Sequence, residues 1–400
     1  MELFDAAHDE APDCSMIPLA QAWCLMLATE PAANRAAQDI VNQWTTKELD
    51  DRSRGHLAGL QAAVAGNWRS AAFLMERHSA EFPRDLIALQ AGHLLDFLCA
   101  DARTLRDRVA RALPHWHGVP GASLVEGMLA FGLEETGAYQ KAEDTGRAAL
   151  AADPDDVWAH HAVVHVMEMQ GRSAEGLAWC EARAPYWADP DNFLKVHNGW
   201  HQALCHIECG DAAAALAVFD AQLAGVASAQ DLIDASALLW RLHMMGVDPG
   251  ERWKAVAAAW LAHADGQLSP FNDLHAAMAW LAAGCESDVD ALLERMGGIR
   301  DGEVADWTAK TGRPLVLGFR AFAQGRYPEA VDLLWPARRI AGSFGGSHAQ
   351  RDVIDWTLAE AAIRGRIAGV ADALVKERLA RRPQSPVNRA FAARVPQPAA

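Results

Sequence analysis

The 400-residue sequence predicts an all-α fold made by stacking helical hairpins, and three observations carry that expectation. Glycine recurs with an aromatic two residues on and an alanine five residues on, at Gly66/Trp68/Ala71, Gly137/Tyr139/Ala142 and Gly325/Tyr327/Ala330. Two of these turns are followed by a proline 17 residues later, Pro83 and Pro154. Alanine-rich helical stretches such as Asp211 to Leu223 and Val353 to Arg364 fill the intervals, and the β-branched alternation that strands require is nearly missing.

Each of these marks has a physical role. Glycine relieves the turn that ends a first helix, and proline stops the second. Together they make the second half of a 34-residue helix–turn–helix unit, the tetratricopeptide pattern, with Gly137 to Pro154 its best copy. Looser turns follow at Gly171, Gly210, Gly246, Gly284 and Gly365, with another expected near Ala100 to Ala102, at spacings of 34 to 41 residues. About nine hairpins result, predicting a tetratricopeptide-like right-handed α-solenoid closed around a central groove. Residues 1–50 read as an N-terminal helical cap, 51–392 as the superhelix and 393–400 as a flexible tail. The first helix of each pair lines the concave face, so residues roughly 5 to 15 positions before each glycine face the groove.

Composition narrows the partners. A formal charge of −16 argues against a nucleic-acid or anionic-membrane surface. Seven cysteines, an odd number without short paired spacing, point to reduced thiols in the cytoplasm. Met16 to Leu27 is apolar but too short and too acidic upstream for a secretory leader, and no run of 18 apolar residues predicts a membrane span.

The histidines carry the chemistry. Asp153-Pro154-Asp155-Asp156 leads into His161 and His165, and Asp189-Pro190-Asp191-Asn192 leads into His197 and His201. In both blocks the histidines fall at +8 and +12 from the first aspartate, and the blocks are offset by 36 residues. Aspartate as N-cap and proline as first helical residue would start two lining helices here. A spacing of four puts each pair on one face, with Glu168 a turn beyond His165. Neighbouring lining helices then aim both pairs at one guest. Three readings stay open: a site for zinc or another divalent metal, a metal-free site of proton carriers around a small molecule, or packing between repeats. The zinc-protease helix is matched only in part, because Ala162 stands where its glutamate would follow the first histidine. Cys205 and Cys209 continue the His201 face and would make a mixed ligand set, although buried thiols are the commoner use.

Other polar residues enter lining helices. Ser269 to His275 reads as a helix start that brings Asp273 and His275 toward the groove. Ser347 and Gln350 form a capping box that sets His348 and Arg351 in a first helical turn, where backbone N–H groups and Arg351 favour an anion, with Asp352 beside them. Trp158 and Trp200 are candidates for an apolar wall. Gly345-Gly346 is no phosphate loop, and no serine-hydrolase elbow, dinucleotide fingerprint or Cys-x2-Cys pair appears.

Four stretches resemble the tetratricopeptide repeat protein 38 family: Trp158 to Arg172, His197 to Leu204, Pro270 to Ala276 and Gly346 to Asp352, in the expected order between about Leu86 and Arg394. The resemblance implies a compact solenoid with these polar motifs as its hallmark, and no reaction. The resulting expectation is a small-molecule-binding protein, leaning toward an enzyme of acid–base or metal-assisted, hydrolysis-type chemistry on a polar or anionic metabolite. Its groove would use His161, His165, His197, His201 and Glu168, and Arg351 with His348 would hold an anionic group. The alternative is a non-catalytic scaffold binding a partner peptide in its concave groove.

Overall fold

The computed structural model describes residues 2–189, 192–298 and 301–397, and among them every regular element is a helix. The first are α1 (Glu2–Glu10), α2 (Met16–Leu27), α3 (Pro31–Trp44), α4 (Asp51–Val64), α5 (Trp68–Glu81), α6 (Leu86–Leu98), α7 (Ala102–Ala112) and α8 (Ala122–Glu135). Then come α9 (Tyr139–Ala152), α10 (Val157–Met169), α11 (Ser173–Trp187), α12 (Lys195–Glu208), α13 (Ala212–Val218), α14 (Ala229–Met244), α15 (Arg252–Trp260) and α16 (Pro270–Ala283). The remainder are α17 (Glu286–Gly298), α18 (Glu303–Trp307), α19 (Arg313–Ala323), α20 (Tyr327–Arg338), α21 (His348–Arg364), α22 (Ala368–Arg381) and α23 (Pro386–Arg394). A wide π-type turn, Thr308–Gly312, joins α18 to α19.

The hairpins close by one repeated hydrogen-bond pattern. At Gly137, φ is +77°; its N–H donates to Glu134 O at 2.8 Å and the next N–H to Leu133 O at 2.9 Å. This is the Schellman closure, in which a left-handed residue satisfies carbonyls the helix end would orphan. The same pair of bonds recurs at Gly171, Gly210, Gly246, Gly284 and Gly325. The turn expected near Ala100 is built the same way on Ala100 itself, at φ +53°. At the last turn the left-handed residue is Arg366 and not Gly365, which is right-handed. Thr29, also left-handed, closes α2 onto α3, a hairpin within the predicted N-terminal cap. The repeat architecture is therefore tetratricopeptide-like, with nine hairpins from α4 to α22 among the described residues.

Alanines at the repeat positions let the helices pack closely: Ala71, Ala142 and Ala330 are fully buried. Tryptophans fill the wider gaps, and Trp23, Trp68, Trp187, Trp200, Trp240, Trp260 and Trp280 are among the largest buried side chains. The lining helices meet one another at the centre. Every residue of α10 from Trp158 to Glu168, and of α16 from Pro270 to Leu281, is buried, as expected of interior helices. α14 packs on α12, α16 and α21, and α21 also touches α10. Trp240 Nε1 donates to Thr357 Oγ1 at 3.0 Å and Arg241 to Ala349 O at 2.9 Å, tying α14 to α21. No helix among the described residues is long and apolar enough to cross a membrane.

Two local expectations are corrected. Pro154 is not the first residue of α10; it lies in the preceding turn, and the N-cap is Asp156, which accepts from the N–H groups of Trp158 and Ala159. In the second block α12 begins only at Lys195, while Pro190 and Asp191 lie outside the described residues. At the C-terminus Ala393 and Arg394 belong to α23, and 398–400 lie outside the described residues.

Candidate metal centre

α10 presents His161 and His165, and α12 presents His197 and His201, one turn apart on facing sides. The four rings meet. Ring centres lie 4.3 Å apart for His165–His201, 4.4 Å for His161–His165, 4.7 Å for His197–His201 and 4.8 Å for His161–His197. One nitrogen from each lies within 4.8 Å of the others.

Two of the rings are gripped from behind. His201 Nδ1 lies 2.8 Å from Glu168 Oε2 on α10, and His197 Nδ1 lies 2.6 Å from Asp234 Oδ2 on α14. With the carboxylates ionised, each Nδ1 carries the hydrogen and each Nε2 is left with a bare lone pair. Those two Nε2 atoms face each other at 3.3 Å. Two neutral rings would oppose lone pairs there, which a cation between them would relieve, whereas a protonated His197, favoured by Asp234, would donate its Nε2–H to His201 instead. A tetrahedral ion with bonds of about 2.0–2.1 Å sets neighbouring nitrogens about 3.3–3.4 Å apart, which is this spacing. Carboxylates behind ligating histidines are the usual outer support of such centres.

His161 and His165 complete the argument from burial. Both are buried, and among the described residues neither ring nitrogen of either makes a hydrogen bond. Each such orphan costs about 1–3 kcal/mol, and the one nitrogen that each ring brings to the tetrad could share a partner there. Burial, followed by the neighbouring imidazoles, holds His161 and His201 well below the usual histidine range, and burial takes His165 to about 4. Burial also opposes charge on His197, but Asp234 outweighs it and raises the pKa. Neutral imidazole is the form that binds metals. Phe131, 5.1 and 5.4 Å from His161 and His165, and Trp158, 5.9 Å from His161, wall the centre, while Trp200 stacks on His197.

A second histidine cluster shows the contrast. His56 Nδ1 accepts from Trp23 Nε1 at 2.9 Å, and an indole can only donate, so His56 Nε2 carries the hydrogen toward Asp85 at 3.0 Å. Asp85 also takes Arg52 at 2.6 Å and His78 at 3.3 Å. Both nitrogens of His56 are used, and this cluster is a finished structural network.

Besides Asp234, two further carboxylates absent from the sequence-based set adjoin the tetrad. Glu134 and Glu135 end α8, and Glu134 Oε2 lies 3.5 Å from His165 Nδ1. Burial pushes Glu134 up to about 8. Glu134 stands three residues before Gly137 just as Glu168 stands three before Gly171, a register of 34 that would have revealed it. Asp234 carries no comparable motif. α8 comes this close because Gly127 faces the α10 cap, where a Cβ would sit 2.7 Å from Asp156 Oδ2.

Beyond Glu135 a cavity of about 470 Å³ opens. Arg338, Arg351, Arg378, Arg381 and Arg382 line it against Asp352 and Asp355. The predicted capping box is present at Ser347 and Gln350. His348 lines the cavity, and its N–H donates to Glu135 Oε1 at 3.3 Å. Arg351 Nη1 donates to the carbonyls of Gly345 and Gly346, Nη2 lies 3.3 Å from His348 Nδ1, and among the described residues no carboxylate is within ion-pair distance. Asp352 is held by Arg378 at 2.8 and 3.0 Å; burial opposes its charge, but Arg378 and Arg382 keep it below the usual carboxylate range.

No family model matches the sequence. Among solved structures the chain is similar to one described as the crystal structure of the APC/C hetero-tetramer Cut9-Hcn1, with a TM-score of 0.34 and 13% identity over 98% of this chain and 85% of that one. The helical hairpins of this chain stand on its own hydrogen-bond pattern.

The remaining predicted residues fall elsewhere. Asp273 Oδ1 accepts from Gly266 N–H at 3.0 Å, and His275 Nδ1 faces Phe271 O at 2.8 Å, so the structure ties both into α16 and its leading loop and brings neither to the tetrad. Cys205 packs with Cys180, Val164 and Trp187 in a separate apolar cluster, and Cys209 is exposed; neither joins the histidines.

Proposed function

We propose that this helical-repeat scaffold holds a divalent first-row metal, zinc by ligand type, on His161, His165, His197 and His201, and acts on a small anionic molecule admitted to the arginine-lined cavity. The opposed Nε2 atoms of His197 and His201, 3.3 Å apart with both Nδ1 atoms engaged by carboxylates, carry this reading. Glu168 and Asp234 orient those rings and raise their basicity. An ion on all four histidines would have a filled shell and would hold α10 to α12, so Lewis acidity and an acidified water would require a further open coordination position. Arg351 and Arg382 offer guanidinium forks for a carboxylate or phosphate, in a space the size of ordinary metabolite sites. The seven free cysteines support a reducing, cytoplasmic setting. The four motifs that resemble the tetratricopeptide repeat protein 38 family support membership of it.

The test is elemental analysis of untagged protein. Stoichiometric zinc or a neighbouring first-row metal, lost in a His161→Ala/His201→Ala protein of unchanged helicity, is the expected result. Negligible metal in folded wild type, even after incubation with zinc, ends the metal reading. The rival is a peptide-binding scaffold, which the repeat architecture alone supports. A stoichiometric protein partner in pull-downs, lost on mutation of exposed Phe193 and not of the tetrad, would favour it.

A further inference from the structure

Four histidines around one ion make a closed coordination shell, the hallmark of structural sites, whereas catalytic sites keep three protein ligands and an open position. A three-ligand site lies next door. Glu134, Glu135 and His165 bring one oxygen, one oxygen and one nitrogen within 4.8 Å of one another. Glu134 has no accessible side-chain surface, and among the described residues neither of its oxygens finds a hydrogen-bond donor. A carboxylate in that state must be protonated or hold a cation. His165 Nδ1 faces it at 3.5 Å, longer than an ordinary hydrogen bond, and His165 Nε2 has no hydrogen-bond partner among the described residues. Glu135 uses one oxygen on the His348 N–H and has the second free of any close donor, with His348 Nε2 3.8 Å away.

We infer that Glu134, Glu135 and His165 form a second divalent-metal site, bridged to the tetrad through the His165 ring. The inference rests on the tetrad reading, because His165 is shared. One imidazole serves two ions, one on each nitrogen, by giving up its ring proton to solvent as the second ion enters. The two glutamates and the imidazolate supply three negative charges, which a helical interior tolerates only beside cations. Glu134, Glu135 and His165 do not themselves line the cavity; Glu135 is linked to it through the N–H of His348, which does.

The experiment is zinc stoichiometry by mass spectrometry, with affinities from competition against a chromogenic chelator. Wild type, Glu134→Gln, Glu135→Gln and His201→Ala are compared, each checked for helicity by circular dichroism. Two equivalents in wild type and one in each glutamine variant is the expected result. One equivalent in wild type, unchanged in both glutamine variants, overturns the second site and leaves the tetrad standing. Two equivalents in all glutamine variants, or none in either, also overturns it, by placing the second ion elsewhere or the glutamates in the first shell. No zinc in folded wild type removes the tetrad and this site together. Should Glu134→Gln fail to fold, Glu135→Gln decides by the same count, and cobalt-loaded wild type is read for magnetic coupling between two ions, whose lack overturns the bridge.

Discussion

Asp234 on α14 holds His197 on α12 by a 2.6 Å contact, so the imidazole that faces the tetrad is positioned from a helix that contributes none of the four histidines. Asp234→Asn keeps the shape and removes the charge. Metal affinity is expected to fall about 10–100-fold, the usual effect of losing an outer-shell carboxylate. Chelator competition measures it, and unchanged affinity would show that Asp234 does not support a ligand.

The His56 network should behave in the opposite way. His56→Ala leaves Trp23 Nε1 and part of Asp85 without partners in the interior, and is expected to lower unfolding stability by about 2–4 kcal/mol. Metal content should not change. Loss of zinc in a folded His56→Ala protein would contradict the structural role given to this cluster.

Asp273 gives a signed pH dependence. Burial lifts its pKa from 3.8 to about 8, with the Gly266 N–H opposing and Asp265 adding to the shift. The folded chain therefore keeps a proton that the unfolded chain releases above about pH 4. The stability this confers is complete at low pH and is lost as pH rises toward about 8. Asp273→Asn cannot ionise, so the difference in urea midpoint between variant and wild type should grow between about pH 5.5 and pH 8.5, by an amount on the order of a few kcal/mol. Parallel curves would refute it.

The cavity predicts an anion effect. Inorganic pyrophosphate should raise the thermal midpoint of wild type, and Arg351→Ala should weaken that binding by about tenfold or more, as expected for losing a charge-assisted bond. Arg351→Lys should recover only part of it, because the fork is lost. Equal shifts in all three proteins would place the anion elsewhere.

The histidine pairs were legible because two lining helices repeat one motif in register, so periodicity alone put four rings at one height. Glu134 was hidden for a different reason: its helix, α8, has Phe131 six residues before the turn glycine, where α10 has His165, so no histidine drew attention to the glutamate beside it. Asp234 lies in the apolar run Leu232 to Leu239 and reaches the site only through a helix crossing that no local pattern encodes. The turns at Thr29, Ala100 and Arg366 escaped or blurred because a side chain occupies the left-handed position, a strain of about 1 kcal/mol that tertiary packing overrides. Asp273 and His275 looked like groove residues from their spacing, yet bonds to Gly266 and Phe271 use them locally.

The mutual burial of the lining helices has a kinetic side. His161, His165 and His201 are buried and only His197 keeps some exposure, so an ion would pass beside His197 and exchange more slowly than at an open surface site.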